Sequence, residues 1–326
     1  MINTTTKYLG LTLKNPIIVA SCGLTNNVES LMELERNNAG AVVLKSLFEE
    51  QIKMQIDSAL KGSINHYPGG EDYLRYYEER HVVDNYLKLI RDAKAKLTIP
   101  VIASLNCAAG GEWTKFAKEI EKAGADAIEV NIFRLPFDLQ DNKAVNEDTY
   151  ANIIRDIKAN VSIPIAAKIG KFFTNPAIFI QKLAFSGADG VVLFNRFYGV
   201  DIDLETEKVV NDNHYSSANE FSDVLRWTAI LADKLECDLC ASTGVHTWKE
   251  GMKILLAGAK VFEVASTLYI NGIEEMNKIL AGIIKWMEEH NYTDLQEIIG
   301  RLKHSNTEDN ELYERVQFMI YQTKFD

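Results

Sequence analysis

Four stretches of the chain repeat one pattern. NNAGAVVLKS ends at Ser46, KAGADAIEVN at Asn131, FSGADGVVLFN at Asn195 and LAGAKVFEVAS at Ser266. Each reads as a helix closing on a small residue, then a short apolar strand, then a polar tip. Four further apolar runs fit between and around them: NPIIVAS over Asn15–Ser21, PVIASLN over Pro100–Asn106, IPIAAKI over Ile163–Ile169 and DLCAST over Asp238–Thr243. Most are separated by amphipathic patterns such as EWTKFAKEIEKAG and NPAIFIQKLAFSG. Near-continuous apolar strands alternating with helices make a parallel sheet covered on its outer face by helices. Eight such units in 326 residues predict a (β/α)8 TIM barrel. The alternative is an open doubly wound sheet. It wants a G-x-G-x-x-G turn after the first strand, and ASCGLTNN is not one. The whole chain, 1–326, reads as one domain, with the barrel over about 15–290 and a helical tail over about 291–326. The stretch EDNELYERVQFMIYQTKFD places Leu312, Val316 and Met319 on one helical face, suited to packing on the barrel or on a second subunit.

Three segments interrupt the repeat. TKYLGLTLKNP reads as a small N-terminal hairpin capping the barrel bottom. Residues Met54–Arg80 include GSINHYPGGEDYLRYYEER, whose glycines and tyrosines suggest an inserted lid loop. After strand six, DIDLETEKVV alternates like a hairpin strand. It would place Asp201, Asp203 and Glu205 on one face. An exposed acidic face explains them, and no metal is expected.

In a barrel, all strand ends of one polarity open at a single mouth. The tips there are Ser21, Lys45, Asn106, Asn131, Lys168, Asn195, Thr243 and Ser266. A folding scaffold has no need of two lysines and three asparagines at such positions, so together they indicate a ligand site. The loops after strands seven and eight, ASTGVHTWKEG and VASTLYINGI, are where such barrels bind phosphate. Thr243, Gly244, Ser266 and Thr267 are small enough for close approach and carry hydroxyls; plain helix caps are the other reading of Ser266 and Thr267. Lys45 and Lys168 sit elsewhere on the rim, suited to a delocalised anion such as a reduced isoalloxazine with charge near N1.

Composition narrows the partners. A formal net charge of -11 argues against a sequence-independent grip on nucleic acid. The N-terminus MINTTTKYLG has no apolar h-region and no stretch reads as a membrane span, so a cytoplasmic protein is expected. Cys237 and Cys240 form a C-x-x-C that enters an apolar strand, with no second pair to complete a metal or iron–sulfur site. They read as buried structural cysteines.

Across nearly its whole length the chain resembles the dihydroorotate dehydrogenases, FMN-dependent barrel enzymes of pyrimidine synthesis. The pieces that carry the resemblance are NPIIVASCG, VVLKS, IEVN, IAAKI, VLFN and STGV followed by LLAGAKVFEVASTLY. It implies that Ala20, Ser21, Lys45, Asn106, Asn131, Lys168, Asn195, Thr243, Gly244, Ser266 and Thr267 contact FMN. Asn131 and Asn195 would also hold the substrate. The resemblance implies a homodimer too, and it disfavours the membrane-quinone form, since no amphipathic extension precedes the barrel.

The chain departs from that family at Arg134. Three residues after the fourth-strand asparagine, these enzymes carry a cysteine or serine that removes a proton from the substrate. Here the count from Asn131 lands on arginine, followed by Leu135 and Pro136. Arginine stays protonated at any ordinary pH and cannot serve as a general base. The lid motif departs as well: NHYPGGEDY keeps Asn65, but Gly69 follows Pro68 where the family has asparagine. Three readings follow. Another group supplies the base, with His66 preferred over Tyr198, Cys107 and Asp138. Or the reaction differs, and Arg134 with Arg196 grips a carboxylate substrate, unless either arginine pairs with an acid such as Asp138 or Asp201. Or the protein binds flavin in a non-catalytic or regulatory role. A flavin enzyme acting on RNA is disfavoured by the acidic composition.

Overall fold

The computed structural model describes residues 2–48, 70–106, 113–132, 143–196, 198–212, 214–308 and 310–314. The chain opens with the expected hairpin, β1 (Thr6–Tyr8) against β2 (Leu11–Leu13). Its two-residue turn, Leu9–Gly10, has positive φ at both positions, 54° and 72°. That backbone matches the twist of paired strands, and glycine adopts it without a Cβ penalty. The Leu9 N–H donates to the Asp238 carboxylate at 2.8 Å, which pins the turn to the strand bottoms.

Eight parallel strands follow and close on themselves. They are β3 (Ile17–Val19), β4 (Ala41–Val43), β6 (Val101–Asn106), β7 (Ala127–Ile132), β8 (Ile165–Ile169), β9 (Gly190–Leu193), β12 (Asp238–Ala241) and β13 (Val261–Val264). The order runs β4–β3–β13–β12–β9–β8–β7–β6, and β4 pairs with β6 to seal the barrel. A short β5 (Leu47–Phe48) extends the sheet beside the end of β6. All eight runs read from the sequence are present. Their outward side chains pack under the surrounding helices, and their inward ones at the closed end, among them Ile18, Ala127, Ala166 and Val261, meet Tyr8 and Leu13 of the hairpin.

Local signals set the helix ends. Asn27 and Asn175 cap the helices Val28–Arg36 and Pro176–Phe185, and Thr247 with Glu250 forms a capping box on Trp248–Ala257. The expected lid loop needs correcting at its far end. Gly70–Lys96 is one long helix, so residues 70–80 belong to it. Past Gly70 this segment has no glycine or proline to break a helix. Residues 54–69 lie outside the described residues.

The second hairpin is present as β10 (Gly199–Asp203) and β11 (Lys208–Asp212). Glu205, however, lies in the turn and does not share the strand face of Asp201 and Asp203. The Asp203 carboxylate instead accepts the Glu205 and Thr206 N–H groups at 2.9 and 3.0 Å. Among the described residues no His, Cys, Asp and Glu cluster suits a metal ion, and no helix is long and apolar enough to cross a membrane. Beyond the helix Glu275–Glu289, the described tail forms short 3-10 turns, with Leu312 in the last, Asn310–Tyr313. Val316 and Met319 lie outside the described residues. Backbone bonds from Gly300 to Leu255 and from Leu302 to Leu256 tie the tail to a barrel helix.

Candidate functional site

A cavity of about 620 Å³ opens at the C-terminal ends of the barrel strands. Ala20, Ser21, Lys45, Asn106, Asn131, Lys168, Asn195, Thr243, Gly244 and Ser266 all line it. The sequence tips therefore converge, in a volume normal for a small-molecule site. A second cavity, about 470 Å³, lies at the other end of the barrel between Leu9, Phe185 and Cys237 and gathers none of these tips. Its Cys237 is half-buried, and burial pushes the thiol up to about 11. Cys240 is buried and pushed up as well, so burial disfavours the thiolate at both.

Register brings three tips side by side: Asn106 pairs with Asn131, and Asn131 with Lys168. Asn195 Nδ2 donates to Asn131 Oδ1 at 2.7 Å, and Asn195 Oδ1 accepts the Arg196 N–H at 3.0 Å. This fixes both amides relative to each other. Arg196 lines the cavity, but its Nε donates to Glu220 at 2.9 Å and its Nη1 to the His214 carbonyl at 3.1 Å. Glu220 is thus an acid partner of Arg196; Asp138 lies outside the described residues. On the other side, Ser21 belongs to a chain of hydroxyls. Ser21 Oγ and Ser46 Oγ are 3.0 Å apart, Ser46 Oγ and Ser104 Oγ 2.7 Å, and the Ser104 N–H donates to the Tyr86 hydroxyl at 2.7 Å.

Lys45 is exposed at the cavity wall. Lys168 is not on the rim as the sequence suggested. It is 6% exposed at the cavity floor, where its ammonium lies 2.6 Å from Glu263 and 3.6 Å from Glu129, both buried. These carboxylates hold Lys168 well above the usual lysine range against the opposing effect of burial. Burial and the neighbouring Glu263 drive Glu129 far up, while Lys168 is the main influence holding Glu263 down. Neither glutamate stood out in the sequence: Glu129 lies in AIEVN and Glu263 in VFEVAS, and nothing local marks the latter as the partner of a lysine 95 residues away.

The loops after β12 and β13 come together as expected, with one correction. Thr243 and Gly244 have φ of 80° and 82°. A Cβ on Gly244 would lie 2.8 Å from the Phe221 backbone nitrogen, so glycine is required there. The Thr243 hydroxyl donates to the Phe194 carbonyl at 2.9 Å, and the Thr267 hydroxyl to the His246 carbonyl at 3.0 Å. Both hydroxyls therefore serve the protein. Thr267 is fully buried and lies off the cavity lining. The Ser266 hydroxyl accepts the Ser216 N–H at 2.9 Å.

Beyond Tyr198, sequence reasoning missed an aromatic rim. Tyr215 and Tyr269 stack with centroids 5.5 Å apart, and Tyr198 meets His214 edge-on at 5.7 Å. All four line the cavity together with Cys22. Burial raises the Cys22 thiol and, with Cys22 beside it, pushes Tyr269 up to about 12. Tyr269 sits three residues after Ser266, a spacing that could have flagged it. Arg134, His66, Cys107 and Asp138, together with Asn65 and Gly69, lie outside the described residues.

Comparison with known proteins adds to this geometry. Residues 3–287 match the family model for dihydroorotate dehydrogenase. The catalytic subunit of dihydroorotate dehydrogenase B (NAD(+)) from Pyrococcus furiosus is 26% identical over 309 residues, covering 90% of this chain and 97% of that protein. The Pyrococcus abyssi and Methanosarcina acetivorans proteins of the same name are 28% and 27% identical, each over 89% of this chain and over 96% and 93% of their own.

Proposed function

The chain belongs to the dihydroorotate dehydrogenase family, and from that premise we propose that it is an FMN-dependent oxidoreductase acting on a CH–CH bond of a small carboxylate. The observation that carries this reading is the convergence of Lys45, Asn106, Asn131, Lys168 and Asn195 in one cavity with the Thr243–Gly244 turn and Ser266. Residues 1–326 act as one FMN-binding unit. Its cytoplasmic location and homodimeric assembly are part of the same proposal, the latter checked by mass measurement in solution.

The residues suit FMN on physical grounds. Gly244 lines the cavity, and the absence of a Cβ lets its turn pack against the Phe221 backbone. Its backbone, with Ser266, would hold the single phosphate, and no dinucleotide fingerprint provides for a second; the buried Thr267 would support that loop through its bond to the His246 carbonyl. Ala20, Ser21, Lys45, Asn106 and Lys168 would surround the ring. Bound FMN would supply a two-electron acceptor for hydride. Asn131 and Asn195, locked amide to amide, would orient the substrate on the flavin-facing side. Arg134 would present its guanidinium fork to the substrate carboxylate.

Arginine at this position cannot accept the substrate proton. General-base catalysis contributes on the order of 10²–10⁴-fold, so dihydroorotate should be oxidised slowly by a deficit of about that size. The test is anaerobic stopped-flow on FMN-loaded protein. Slow or absent bleaching by dihydroorotate, with bleaching by another small carboxylate, supports the reading. Rapid bleaching by dihydroorotate shows that another residue is the base. Protein that takes up no FMN overturns the proposal. Arg134 also favours a second reading, a non-catalytic flavin-binding or regulatory protein. Stoichiometric FMN that no dihydropyrimidine or related acid bleaches would select it.

A further inference from the structure

Two carboxylates and one ammonium meet at the floor of the cavity. Lys168 projects from β8, Glu129 from the adjacent β7 and Glu263 from β13. Lys168 Nζ is 2.6 Å from Glu263 and 3.6 Å from Glu129, so both carboxylates lie against the same ammonium. Glu129 is 2% and Glu263 3% exposed, and Glu129 Oε1 has no hydrogen-bond partner among the described residues. With both carboxylates ionised, this buried group would carry one uncompensated negative charge, which burial strongly opposes. Tyr8 from the hairpin and Cys240 from β12 also face the group, and burial drives both toward their neutral forms. Neither supplies a compensating charge. The group is balanced when a single proton resides on the glutamate pair.

We propose that Glu129 and Glu263 act as one shared counter-ion to Lys168, holding a single proton between them, so that loss of either carboxylate leaves the charge beneath the flavin unchanged. The inference rests on the flavin reading above, since Lys168 lines the cavity proposed to hold the ring. Its consequence is non-additive. In Glu263→Gln the proton leaves Glu129, which then pairs with Lys168. In Glu129→Gln, Glu263 stays ionised. Only the double variant leaves the ammonium unbalanced, and an unbalanced cation favours the negatively charged reduced flavin. Glu129 and Glu263 are thus positioning residues that act through Lys168.

The primary test is spectroelectrochemical titration of FMN-loaded wild type, both single variants and the double variant. Each single variant should keep the reduced-to-oxidised ratio at a fixed potential within about twofold, while the double should favour reduced flavin about tenfold, ~30 mV for a two-electron couple. A shift in Glu263→Gln equal to that of the double would show Glu263 to be the sole counter-ion and overturn the proposal. An unshifted double would overturn it too. A second measurement needs neither flavin nor the double variant. Infrared spectra of the flavin-free protein at neutral pH should show a buried protonated carboxyl that disappears in each single variant. A band that survives in Glu263→Gln refutes the shared proton. Wild type that takes up no FMN defeats the flavin reading alone, and the infrared result still decides whether the proton is shared.

Discussion

The two ends of the barrel interior are built to opposite rules on the same strands. At the closed end, β7, β8 and β13 turn Ala127, Ala166 and Val261 inward, against Tyr8 and Leu13 of the hairpin. Two residues further along each strand, the inward positions are Glu129, Lys168 and Glu263. The two-residue period of a strand carries one face from a filled apolar plug to a buried ionic group in a single step. Area removed from water stabilises the plug. The ionic end gains little from its salt bridge, because desolvation offsets much of the attraction. Its composition makes sense as a site and the plug's as a foundation.

That contrast can be broken from either end. Lys168→Met would strand buried carboxylates beside an apolar side chain, and we expect a loss of about 3–5 kcal/mol in urea unfolding. A loss under about 1 kcal/mol would show that the ionic end carries little buried charge. Leu13→Ala, at the closed end, should cost about 2–5 kcal/mol by the same measurement. FMN affinity should be unchanged, and weaker binding would mean that the two ends are not independent. Gly244→Ala forces a Cβ against Phe221 at positive φ and should cost about 1–3 kcal/mol, with weaker FMN retention read by ultrafiltration.

The pH dependence sharpens the comparison. Glu129 is raised in the fold, so the folded state binds more protons than the unfolded one above the ordinary glutamate value of 4.5. Its contribution is full below that value and is lost as pH rises through the folded pKa. Glu263 is lowered, so its contribution is present above the same value and lost as pH falls through its folded pKa. Glu129→Gln should therefore flatten the decline in unfolding free energy above pH 4.5. An unchanged slope would remove Glu129 as its source.

Much of this was legible in the sequence. The eight strands were readable because each is an apolar run bounded by a helix-closing small residue and a polar tip. The N-terminal hairpin was readable in TKYLGLTLKNP. The convergence of the tips followed from barrel geometry alone. What stayed hidden was pairing at a distance. Lys168 read as a rim cation because nothing near IPIAAKI announces Glu263. Thr267 read as a hydroxyl donor because its bond to the His246 carbonyl depends on how two loops fold together. An acid partner for Arg196 was foreseeable, yet Glu220 lies beyond a hairpin and nothing near Asn195 points to it. The helix over 70–80 was masked by the glycines just before it.

The second hairpin has a consequence for how the protein behaves at high concentration. Val200, Ile202 and Val209 lie on one face of β10 and β11, each more than half exposed, with Leu204 at the turn 85% exposed. A short two-stranded ribbon with an apolar face is a template onto which another molecule can add a strand. Asp201 and Asp203 alternate with those residues along β10, and the whole chain carries a net charge of -11. Any copy adding its own hairpin would bring like charges into register, where they repel. The aspartates therefore add like charge that opposes such pairing. Ile202→Ser should leave folding stability within about 0.5 kcal/mol, whereas neutralising the aspartates should lower the concentration at which the protein associates, followed by light scattering.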